Sequence, residues 1–63
     1  MACDDRRDVY FEFIAIGSAV KVSAICSVTG TEVSVMGPVT ATQADLERLA
    51  LQKLKARLAR DGA

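Results

Sequence analysis

The run Val9-Tyr10-Phe11-Glu12-Phe13-Ile14-Ala15-Ile16-Gly17-Ser18-Ala19-Val20-Lys21-Val22-Ser23-Ala24-Ile25-Cys26 decides the fold. Its hydrophobicity has a period of two, the period of a pleated strand. Val9, Phe11, Phe13 and Ala15 point one way; Tyr10, Glu12, Ile14 and Ile16 point the other. Gly17-Ser18 breaks the run and suits a type II′ hairpin turn. Beyond it Val20, Val22, Ala24 and Cys26 share one face, and Lys21, Ser23, Ile25 and Ser27 share the opposite one. A two-residue loop pairs Ile16 with Ala19, and hence Phe13 with Val22, Phe11 with Ala24, and Val9 with Cys26. All three of those last pairs are apolar. A slip by one residue mixes the faces, so the pattern specifies the register.

Working outward, Thr29-Gly30 marks a second turn. A two-residue loop there pairs Cys26 with Val33 and Ala24 with Val35. A four-residue loop over Ser27–Gly30 also matches the faces, so the loop length stays open. A third strand over Thr31–Met36 is expected to end at Gly37-Pro38, because proline cannot donate to a ladder. From Gln43 to Arg60 the residues form helix well, with no glycine or proline. Thr42-Gln43-Ala44-Asp45 reads as a capping-box variant, with Thr40 and Gln43 as the alternative start. Asp45 and Glu47 lie near the positive end of the helix dipole; Lys53, Lys55, Arg57 and Arg60 lie toward the negative end. At 100° per residue Leu46, Ala50, Leu54, Leu58 and Leu51 form one stripe, which is expected to cover the apolar sheet face. Leu49 falls on the flank. The fold class is α+β: a three-stranded antiparallel meander with one C-terminal helix on one face. The expected domain spans 9–60, between a disordered tail over 1–8 and a short tail over 61–63.

Gly17-Ser18-Ala19-Val20-Lys21-Val22, Gly30-Thr31-Glu32-Val33-Ser34-Val35-Met36-Gly37-Pro38 and Gln43-Ala44-Asp45-Leu46-Glu47-Arg48-Leu49-Ala50 together resemble a family of short alphaproteobacterial proteins classed as a domain of unknown function. The resemblance covers Val9–Leu58. It implies a β-β-β-α fold and no known activity, so it transfers no functional residue.

The chain has 63 residues, 8 basic and 8 acidic, so its net charge is zero. That balance disfavours a general polyanion binder. There is no histidine, which removes the usual general base and metal ligand. A chain this short buries only about 60% of its unfolded surface and needs a staple or a partner. The two cysteines, Cys3 and Cys26, are too few for a disulfide scaffold and form no C-x-x-C pair. Cys26 is expected to pack as a small hydrophobe in a reduced, cytoplasmic chain. Asp4, Asp5, Arg6, Arg7 and Asp8 stand where a signal peptide has its apolar core. Glu12 and Lys21 interrupt the apolar run from Val9 to Val28, so it is not expected to span a membrane.

No catalytic, cofactor or metal site is expected. Lys21 and Ser23 share a strand face, but strand neighbours on an open face are ordinarily plain surface. Cys3, Asp4, Asp5, Asp8 and Glu12 have the right chemistry for a cation, yet Arg6 and Arg7 oppose it. Lys53, Arg57 and Arg60, spaced i, i+4 and i+7, line one helix flank. They are the alternative, nucleic-acid site, set against the blander reading of a solvated flank that complements the helix dipole. The leading expectation is a non-enzymatic module that binds itself or another protein. The outer sheet face carries Tyr10, Ile14, Ile16, Ile25 and Met36, and no second helix remains to cover it. Scattered apolar side chains need no explanation, but five on one face do. Tyr10, Ile14, Ile16 and Ile25 are the expected contact residues, in a homodimer or with a protein partner.

Overall fold

The computed structural model describes residue 3 and residues 6–62. After a 3-10 turn at Arg6–Asp8, strand β1 runs over Val9–Ile16, β2 over Ala19–Cys26 and β3 over Glu32–Pro38. Helix α1 covers Gln43–Gly62. The strands form one antiparallel sheet in the order β1-β2-β3. The architecture is therefore α+β, with the helix on one face of the sheet.

The first hairpin has the register that alternation dictates, from Ile16 opposite Ala19 to Val9 opposite Cys26. Gly17 turns it with a φ of 61°, the sign a type II′ turn needs at its first central residue. In the second hairpin Ala24 faces Val33 and Val22 faces Val35. The loop is thus the four-residue one. Cys26 N–H donates to the Thr31 carbonyl at 2.8 Å, and Gly30, at φ 79°, returns its N–H to the Cys26 carbonyl at 2.8 Å. The longer loop frees Ser27 to donate both its N–H (2.9 Å) and its hydroxyl (2.8 Å) to the Asp8 carbonyl. β3 runs past its expected end, because Pro38 pairs with Ala19. Val39 N–H donates to the Ser18 carbonyl, so Pro38, one residue back, presents its missing N–H to the open edge of the sheet.

α1 begins at Thr42, whose hydroxyl accepts from Asp45 N–H at 3.2 Å. That selects Thr42 over Thr40 as the cap and leaves one fewer orphan donor in the first turn. The helix reaches Gly62, two residues past the expected Arg60. Leu46, Ala50 and Leu54 are buried in one core cluster with Val9, Val22, Ala24, Cys26 and Val33. Each leucine contributes about 1.5–3 kcal/mol by leaving water.

Two expectations are corrected. The helix does not roof the whole sheet: it packs chiefly on β3 and β2. Phe11 and Phe13 stay half-buried, and Ala15 is exposed. A single helix about 10 Å wide spans roughly two strands at 4.8 Å spacing, so the third is left at its margin. The N-terminal segment is also no loose tail throughout. Cys3 is fully buried and bonded to Cys26, with Cα atoms 5.7 Å apart across 23 residues. Cys26 does sit in the core, but as half of a disulfide. Cys3 thereby seals the Val9 end of the inner face.

Candidate functional site

The outer sheet face is built by the same alternation that builds the core. Each even-numbered residue of β1 must point away from α1 if its odd-numbered neighbours face it. Tyr10 is 66% exposed, Ile14 43%, Ile16 52% and Met36 59%. The register sets them in rows. Ile14 lies beside Lys21, and Lys21 beside Met36, so the lysine stem runs between two apolar side chains. Tyr10 lies beside Ile25, and Ile25 beside Glu32. Ile25 itself is half-buried between them. The face therefore groups Tyr10, Ile14 and Ile16 along the β1 side, with Met36 across the sheet. No described segment lies over it. Ser23, in the middle of this face, is 2% exposed. Its hydroxyl is closed off from solvent, so it is no reachable nucleophile for Lys21 to activate.

The basic flank is real and continuous. Lys53, Arg57 and Arg60 line a shallow cleft of about 260 Å3 with Val33 and Ala56, where α1 meets β3. Lys53 Nζ donates to the Ser34 carbonyl at 2.8 Å, tying the flank to the strand. The cleft opens toward the C-terminal half of the helix, whose dipole end favours cations.

Of the acidic residues considered as cation ligands, Asp4 and Asp5 lie outside the described residues. Cys3 is consumed by the disulfide. Among the described residues no three histidine, cysteine, aspartate or glutamate side chains gather to hold a metal. No helix among them is long and apolar enough to cross a membrane.

Sequence reasoning missed the disulfide. Two cysteines separated by 23 residues carry no periodic signal, and only the fold brings them together. It also placed no weight on Val28 and Val39, which the structure leaves exposed at opposite ends of the meander.

A three-stranded meander with one helix to one side, and an apolar sheet face left bare, defines a small two-layer β-β-β-α domain. The chain belongs to the family described as a domain of unknown function, DUF6898, which it matches over residues 6–61. No curated protein and no solved structure matches it.

Proposed function

We propose that this protein is a non-enzymatic interaction module that associates with itself or with another protein through the outer sheet face and the adjoining β1 edge. One observation carries the reading: Tyr10, Ile14, Ile16 and Met36 stand exposed together on the face opposite α1. Covering such a group releases roughly 25 cal/mol per Å2 of apolar surface before the costs of association. β1 adds the edge-facing backbone groups of Phe13 and Ala15. On the resemblance described above we read the chain as bacterial. A cytoplasmic placement assumes unpaired thiols. The Cys3–Cys26 bond favours an oxidising compartment instead, since cytosolic thiols are kept reduced.

The test is Ile14→Glu. The variant is expected to keep the fold, because Ile14 is exposed on the face opposite α1, and to abolish association measured by light scattering and by chemical cross-linking in native extract. Unchanged association in both assays contradicts the reading.

The basic cleft supports a second reading, a nucleic-acid accessory module using Lys53, Arg57 and Arg60. Three phosphate contacts give affinity that falls steeply with salt. Binding indifferent to salt and to neutralising those three residues ends it.

A further inference from the structure

We propose that Cys3 is a thiol-exchange site: an external thiolate attacks its Sγ, and Cys26 departs as the thiolate. This is independent of the association reading. The two sulfurs of the bond have opposite surroundings. Cys26 Sγ accepts a hydrogen bond from Thr29 N–H at 3.3 Å. An N–H aimed at sulfur stabilises negative charge there, so Cys26 is the better leaving group. Cys3 Sγ instead stands 3.3 Å from the Asp8 carbonyl oxygen. The negative end of that carbonyl opposes a thiolate on Cys3, which leaves Cys3 as the sulfur to be attacked.

Access divides the two residues in the same way. Both are fully buried, so exchange requires one of them to come out. Cys26 is fixed in β2: it lies opposite Val9, its N–H donates to Thr31 and its carbonyl accepts from Gly30. Cys3 lies outside the sheet, ahead of the 3-10 turn at Arg6–Asp8, which leans chiefly on β1. Such turns have poor hydrogen-bond geometry. Cys3 also holds a φ of 55°, in the left-handed region that a residue with a Cβ disfavours. Leaving the core relieves that conformation.

The co-reactant is a low-molecular-weight thiol. Its sulfur, having given its proton to solvent, bonds to Cys3 Sγ as the Sγ–Sγ bond breaks. The electron pair goes to Cys26, which regains a proton. The product carries a mixed disulfide on Cys3, and Cys26 expels the small thiol in the reverse step. Thiolation takes Cys3 out of the core cluster it shares with Val9 and Cys26, so that end of the core opens and recloses with the thiol supply.

Glutathione added to the oxidised full chain tests this. Samples are quenched in acid, digested with pepsin and read by mass spectrometry. Early adducts on Cys3 are expected to exceed those on Cys26 by about ten to one. Thr29→Pro removes the N–H at Cys26 Sγ and is expected to lower that ratio severalfold while circular dichroism stays native. In wild type unfolded by urea the ratio is expected to fall toward equality, because both surroundings are lost. Adducts mainly on Cys26, adducts equally divided, or none before unfolding overturn the proposal. So does a ratio unchanged in natively folded Thr29→Pro or in urea. If Thr29→Pro does not fold, the comparison of native and urea-unfolded wild type decides.

Discussion

Cys3 does the most work for a single residue. A 63-residue domain has a small core, and its corner at Val9 belongs to β1, the strand α1 packs on least. Cys3 fills that corner and ties the N-terminal segment to β2. Closing a loop of 23 residues restricts the unfolded chain by about 3 kcal/mol on the chain-entropy account. Cys3→Ser is accordingly expected to lower the urea-unfolding free energy by about 2–4 kcal/mol. Reductant is expected to lower wild type by the same amount and leave the variant unchanged. Equal stability of oxidised and reduced wild type contradicts this role. Nothing in the alternation of the chain announces the bond. Cys26 is legible as a buried residue because it shares a face with Val22 and Ala24, but Cys3 lies in a charged segment with no period. Its burial is a tertiary fact.

Among the elements, the strands were the most legible. In β1 and β2 every inward residue is apolar and a one-residue slip is ruinous, so the register followed from the letters. The second hairpin was not, because two loop lengths satisfy the same face matching. The choice fell to local bonds at Ser27, Thr31 and Gly30 that periodicity does not encode. The helix was readable in extent to within two residues and in its cap as a choice between Thr42 and Thr40, but not in its lateral position. A stripe of leucines states which side packs, not which strands it packs on. Gly37 fixes part of that position. A Cβ there would stand 2.5 Å from Leu46 Cδ2, so the first turn of α1 settles directly against the β3 backbone. Gly37→Ala is expected to force Leu46 outward and to cost about 1–2 kcal/mol in urea unfolding. Unchanged or increased stability argues that the contact is looser than described.

On the scale of the whole molecule, one sheet face is buried, and two apolar regions have no cover among the described residues. One is the outer face around Tyr10, Ile14, Ile16 and Met36; the other is the β1 margin at Phe13. The outer face was legible in the sequence, because residues that alternate with a core cannot themselves face it. The β1 margin was not, since it depends on where the helix comes to rest. Association joins these regions into one explanation, and a soluble paramagnetic probe in methyl and aromatic NMR tests it directly. In dilute solution the probe is expected to broaden Tyr10, Ile14, Ile16 and Met36 and to spare Val22 and Leu54. As concentration rises, protection is expected to spread over Tyr10 and Ile16 while Leu49, on the far flank of the helix, stays broadened. Protection of Ile14 in dilute monomer, or equal broadening of Tyr10 and Ile16 at every concentration, contradicts the account.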